Sequence, residues 1–280
     1  MIAALLITLR ETLEASLVVG IILAYLNKTQ NKKQKRVIWY GVACGVLLSV
    51  VLAFVFDRYL GGFEGRNEAL YEGVMMLTAG GLLTWMILWM ITQRKHAKAK
   101  LENKIEAHLE SGHTRGLFFL TFVGVAREGI ETVIFLQAAT IQSDVGSVLT
   151  GGILGIVIAI ALAYILFKGV AKVPLRSFFT FTSVLLIFFA AGLMAHGVHE
   201  LEEAGVVPIV IEHLWDINPE VVQEGVYPLM HEKGAVGSLL AGLFGYNGNP
   251  SLVEVLTYLV YMVVIFLVWG VIEKKEKVRA

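Results

Sequence analysis

The sequence predicts an all-α polytopic membrane protein: seven transmembrane helices, arranged as a 3+3 inverted repeat plus a seventh helix, with the N-terminus outside and the C-terminus cytoplasmic. Three observations predict it. The 280 residues are 56% hydrophobic and 16% charged, with a mean hydropathy of +0.71, a balance typical of membrane proteins rather than soluble domains. Apolar stretches long enough to cross roughly 30 Å of hydrocarbon recur along the chain. Basic residues cluster in every second connection, and short motifs return at a nearly constant offset.

In chain order the apolar stretches cover roughly 2–26, 37–60, 70–93, 116–141, 148–170, 177–199 and 252–272. The first has no basic leader region and no small-residue cleavage site, so it is expected to be a retained helix and not a signal peptide. Connections 27–36, 94–115 and 168–176 and the tail 273–280 hold five, six, three and four Lys or Arg, against only Arg58, Arg66 and Lys233 in the alternate connections. The positive-inside rule therefore puts the N-terminus outside and the C-terminus inside. Segment 94–115 reads as a basic helical extension at the lipid headgroups.

The long connection 200–251 is an acidic outer loop, with Glu200, Glu202, Glu203, Glu212, Asp216, Glu220, Glu224 and Glu232 against Lys233. Such a field concentrates cations. Pro208, Pro219 and Pro228 divide it, and its apolar piece 235–246 is too short to span, so it is expected to lie at the interface or dip back. A lone Cys44 excludes a disulfide framework and a cysteine metal cluster. No phosphate-binding loop is present, which argues against nucleotide use, and nothing points to a nucleic-acid partner.

Internal repetition organises the spans. Arg10-Glu11-Thr12-Leu13-Glu14 returns as Arg127-Glu128-Gly129-Ile130-Glu131, Gly41 to Gly45 aligns with Gly151 to Gly155, and Ala79-Gly80-Gly81-Leu82 aligns with Ala190-Ala191-Gly192-Leu193. The offsets are 117, 110 and 111. Three helices per unit is an odd number, so the second unit enters the membrane from the other side, as in inverted-repeat transporters. One domain over 1–280 results: a first repeat over 1–93, a second over 116–199, the outer loop 200–251 and the last helix 252–272.

The duplicated motif carries the chemistry. At the centre of a spanning helix one charged side chain costs roughly 2.5–3.5 kcal/mol on insertion scales, and each copy places three there. Glu11 and Glu14 leave one helix face at i,i+3, and Arg10 reaches Glu14 at i,i+4; Glu128, Glu131 and Arg127 repeat the arrangement. Four carboxylates and two guanidinium groups leave about two negative charges if all are ionised, a residue that a multivalent cation neutralises. Carboxylate oxygens suit hard ions such as iron(III), manganese, magnesium or calcium. Counted from the outer face, Glu131, Glu128, Glu11 and Glu14 fall at about 9, 13, 15 and 20 Å, a ladder across the bilayer. The alternative is a pair of structural salt bridges locking two helices. On the outer side, Glu68, Glu72, His196, His199, Glu200 and Glu203 are candidates for a receiving site. Met75, Met76, Met86 and Met90 read as core packing.

The doubled Arg-Glu-x-(Leu/Ile)-Glu resembles the signature of the oxidase-dependent iron transporter family, which comprises fungal high-affinity iron permeases and bacterial EfeU-type permeases. The likeness extends to Leu83-Thr84-Trp85-Met86, Trp89-Met90, His199-Glu200-Leu201, Glu203-Ala204-Gly205 and Gly245 to Leu252. It implies seven spans, iron import as Fe3+ or Fe2+ with no tightly bound cofactor, and a requirement for both glutamate pairs. It also implies a bacterial plasma-membrane setting and extracytoplasmic partners: an iron-binding cupredoxin-like protein and a haem peroxidase or other ferroxidase. Rival readings are transport of another divalent metal such as manganese or lead, an intramembrane enzyme using the glutamates as acid and base, and a purely structural membrane subunit.

Overall fold

The computed structural model describes residues 1–60, 63–93, 103, 105, 106, 114–169, 175–219, 227–231 and 234–279. Helices dominate them: α1 (Ile2–Lys28), α2 (Lys35–Leu60), α3 (Arg66–Gln93), α4 (Thr114–Gln142), α5 (Val145–Phe167), α6 (Leu175–Glu203), the short α7 (Ala235–Phe244) and α8 (Leu252–Arg279). No strand occurs among the described residues. Most of the basic connection 94–115, and Glu220, Glu224, Glu232 and Lys233 of the acidic loop, lie outside the described residues.

Five helices, α2, α3, α5, α6 and α8, are long and apolar enough to cross a membrane. α1 and α4 are of similar length, 27 and 29 residues, but charged residues interrupt every apolar stretch long enough to span. Polarity is inverted relative to a water-soluble protein. Leu47, Val50 and Phe54 of α2, Ile153 and Val157 of α5, and Val260, Val263 and Leu267 of α8 face outward, whereas Thr8, Arg10 and Glu11 are buried. Lipid as solvent rewards that arrangement, because it keeps charges in the protein interior and apolar side chains at the periphery.

Packing pairs the helices across the two halves. α1 lies chiefly on α5, α2 on α4 and α3 on α6, and α1 also touches α4. Exchanging α1, α2 and α3 for α4, α5 and α6 returns the same set of pairs. Small residues make these approaches close, as lipid-embedded helices require. Gly41 and Gly45 of α2 lie so near Thr121 and Val125 of α4 that an added Cβ would stand 3.0 Å from their Cβ atoms. Gly151 and Gly155 of α5 do the same job against the Met1 and Leu5 carbonyls of α1, and the Thr8 hydroxyl donates across that seam to the Gly152 carbonyl at 2.9 Å.

Residue order along the seams gives helix direction. Gly41, Gly45 and Gly129 with its neighbour Ser49 show α2 and α4 running parallel, and Gly151 against Met1 with Gly20 against Phe167 show the same for α1 and α5. α5 turns back from α4 after Ser143 and Asp144, where Asp144 accepts from the Ser147 N–H at 2.9 Å. α4 therefore runs opposite to α1. Gly124 meeting Val18 while Glu11 meets Glu128 and Glu131 agrees, since residue numbers then fall on α4 as they rise on α1.

α7 is an apolar helix of ten residues closed by Gly245 at φ 67°, a left-handed cap that glycine takes without strain. It packs on α6 and touches α1 and α4. Gly245 lies against Gly192, and Phe244 meets the Phe188 ring edge-on at 5.3 Å. The stretch before it, 211–217, lies alongside 248–252 through Leu214 N–H to Pro250, Ile217 N–H to Gly248 and Leu252 N–H to Ile211 bonds of 2.9 to 3.1 Å.

Candidate functional site

Each motif occupies one face of its helix, and antiparallel packing of α1 on α4 turns the two faces together. Carboxylate oxygens of Glu11, Glu128 and Glu131 come within 4.8 Å of one another. Glu11 is 1% exposed and Glu128 9%. Three of the four motif carboxylates thus share one group.

Within each half the arginine binds the second glutamate and leaves the first free. Arg10 Nε donates to Glu14 Oε1 at 3.1 Å, and Arg127 Nε donates to Glu131 Oε1 at 2.8 Å. Both oxygens of Glu11, Oε2 of Glu128 and Oε2 of Glu131 are buried and accept no hydrogen bond. Buried carboxylate oxygens without donors are rare in folded proteins and call for an explanation. These four are oxygens that could hold a cation. Oxygens sharing one small ion with bonds of about 2.0–2.2 Å stand about 3–4 Å apart, so modest side-chain adjustment closes this group on an ion. Glu14 stands outside the group.

The arginines are held from α3. Arg10 is completely buried, and its Nη2 donates to Met90 Sδ at 3.4 Å. The Arg127 guanidinium lies 4.8 Å from the centre of the Trp89 ring, a cation–π contact. Residues 89 and 90 of one helix thus support both motif cations. Met90 packs in the core with Leu9, Leu13 and Phe179, as the sequence predicts, and its sulfur in addition meets Arg10.

The outer candidates divide into two groups. Glu68 and Glu72 of α3 and Glu200 and Glu203 of α6 line an open cleft of about 610 Å3 with Arg66 at its rim, and Arg66 Nε donates to the Ala204 carbonyl at 2.9 Å. His196 and His199 are not in the cleft lining. They face Glu254, a buried residue of α8 that the sequence reading did not single out: His196 Nδ1 and His199 Nδ1 each stand 3.8 Å from a Glu254 oxygen.

Residues 1–279 match the iron permease FTR1 family. The chain is 35% identical over 266 residues to the ferrous iron permease EfeU of Escherichia coli O157:H7, covering 94% of this chain and 93% of that relative. It is 35% identical over 266 residues to the ferrous iron permease EfeU of Yersinia pestis, with 94% and 91% covered, and equally similar to the putative inactive ferrous iron permease EfeU of Escherichia coli K12. No solved structure matches. A match over nearly the full length, on a helical bundle whose two duplicated motifs meet, has one reading: the chain belongs to the iron permease FTR1 family and is a transporter, not an enzyme.

Proposed function

We propose that this chain imports iron across the bacterial plasma membrane through a passage in which Glu11, Glu128 and Glu131 ligate the ion and Glu14 completes the set. The observation that carries the reading is the convergence of three carboxylates from two oppositely directed motifs within 4.8 Å. Symmetry supports it: a site built from two inverted halves can open toward either face by rocking one half on the other. Arg10 and Arg127 hold Glu14 and Glu131 in place and limit the negative charge of the site. The pairing of α1 on α5 and of α2 on α4 supports seven spans, with α1 and α4 crossing as well as the five apolar helices. The N-terminus lies outside, as the basic connections require.

Iron reaches the passage through the cleft of Glu68, Glu72, Glu200 and Glu203, with an extracytoplasmic cupredoxin-like protein and a haem peroxidase or other ferroxidase supplying it as iron(III). The family resemblance supports these partners. The names of the relatives support iron as cargo over manganese or lead. The test is radioactive-iron uptake by cells producing Glu11→Ala, Glu14→Ala, Glu128→Ala or Glu131→Ala, each with membrane insertion intact. Uptake is expected to be lost in each; retention in all four would sink the proposal.

A further inference from the structure

We infer that His199, Glu202 and Glu254 form a second cation site on the inner side of the outer cleft, taking a divalent or trivalent ion through imidazole nitrogen and carboxylate oxygen. It deepens the reading of the chain as an iron importer and rests on it, since the ion concerned is the cargo. Local sequence already hints at an unusual role for Glu254. Ser251-Leu252-Val253-Glu254 has the spacing of a capping box, in which the serine caps the backbone N–H of the glutamate and the glutamate reaches back to the serine N–H. Only the first half forms, with the Glu254 N–H donating to Ser251 Oγ at 3.1 Å. The carboxylate turns instead to Asn247, whose Nδ2 lies 3.0 Å from both of its oxygens.

Ser251 also fixes the other acid. Its hydroxyl donates to Glu202 Oε2 at 2.6 Å, so Ser251 orients the Glu202 carboxylate while capping the backbone of Glu254; the two acids are 4% and 2% exposed. Among the described residues, the basic groups within 4 Å of either carboxylate are His196 and His199. Imidazole nitrogen and carboxylate oxygen brought together in this way, with no Lys or Arg within 4 Å among the described residues, make a donor set for a cation. Glu202 Oε1 and His199 Nδ1 are buried and have no hydrogen-bond partner, so neither atom is engaged within the protein.

Geometry fits an ion. His199 Nδ1 stands 3.9 Å from Glu202 Oε2 and 3.8 Å from Glu254 Oε2, too far for hydrogen bonds. Ligand atoms around an ion with bonds of about 2.1 Å lie about 3.0 Å apart at right angles and about 4.2 Å apart across it. His199 and Glu202, at i,i+3, leave one face of α6. Mixed imidazole and carboxylate donors suit iron and its neighbours. The other histidine nitrogen, Nε2, is 3.4 Å from Glu203 Oε1, and Glu203 lines the outer cleft. One imidazole therefore lies between Glu203 and the buried acids. His196 donates from Nδ1 to the Gly192 carbonyl at 3.1 Å and flanks the group.

The purified full-length protein, loaded with Mn2+ alone and examined by pulsed electron paramagnetic resonance, distinguishes the two sites, because the motif site offers only oxygen from glutamate. Nitrogen coupling to bound Mn2+ is expected in the parent and in Glu11→Gln/Glu128→Gln, and is expected to vanish in His199→Gln and in Glu202→Gln/Glu254→Gln, with one fewer ion bound. Equal melting temperatures of parent and variants guard against misfolding, and His199→Gln leaves both acids and the Ser251 contacts in place. A parent without nitrogen coupling, or coupling that persists in His199→Gln, overturns the second site. Full Mn2+ stoichiometry in Glu11→Gln/Glu128→Gln, with nitrogen coupling retained, would instead count against the motif site and leave this one standing.

Discussion

Arg10→Met separates what the first motif does for the fold from what it does for transport. The Arg10 side chain is completely buried and Glu14, its partner at 3.1 Å, is 17% exposed. Removing one member of a buried ion pair strands the other charge and is expected to destabilise the protein by about 3–5 kcal/mol. At about 1.4 kcal/mol per tenfold, the unfolding equilibrium shifts roughly a hundred- to several-thousand-fold. Removing both charges, in Arg10→Met/Glu14→Leu, leaves no stranded group, and apolar replacements of buried pairs are neutral or stabilising by about 1–4 kcal/mol. The double variant should therefore regain the stability that the single variant loses, yet import no iron, because Glu14 is gone. Reversible unfolding in mixed micelles measures the first quantity, and iron uptake into proteoliposomes the second. A single variant as stable as the parent, a double variant no more stable than the single, or a double variant that transports would refute the assignment.

Other perturbations test other links. Gly155→Ala drives a Cβ into the Leu5 carbonyl and the Thr8 hydroxyl, whereas Gly81→Ala meets nothing within 4 Å; overpacking predicts a loss of about 1–3 kcal/mol for the former and a neutral result for the latter, read by thermal melting. Trp89→Leu removes the ring beneath Arg127 and should weaken the hold on that arginine by about 0.5–2 kcal/mol, lowering the uptake rate several-fold while sparing insertion. Neutralising Glu68, Glu72 and Glu200 together should raise the KM for iron and blunt its dependence on ionic strength with little change in maximal rate, because these acids act by gathering cations. A lower maximal rate at unchanged KM would place them in the passage itself.

The helices and their duplication are legible because both rest on periodic, local information: apolar length, basic connections and recurring motifs. The offset between Gly41 to Gly45 and Gly151 to Gly155 marks two seams that the structure builds alike, each glycine pair lying close against the first helix of the other half. The motif faces are legible too, since i,i+3 and i,i+4 spacing fixes which side chains share a side. What spacing cannot supply is the register between two helices. Depths counted from estimated span starts put the four glutamates on separate rungs, while the fold gathers oxygens of Glu11, Glu128 and Glu131 into one group. Glu254 escapes notice for a related reason. It is one acid at a helix start, where a capping role explains it, and only the fold brings it to His196 and His199. Met90 and Trp89 show the same limit: their partners are 80 and 38 residues away in sequence.

The most direct measurement is a crystal structure of the iron-soaked protein with anomalous scattering recorded at the iron edge. The account predicts an anomalous peak enclosed by Glu11, Glu128 and Glu131, with oxygens of all three at bonding distance. Iron bound elsewhere in the molecule, with these three carboxylates turned apart or separated by packed apolar side chains, would contradict it.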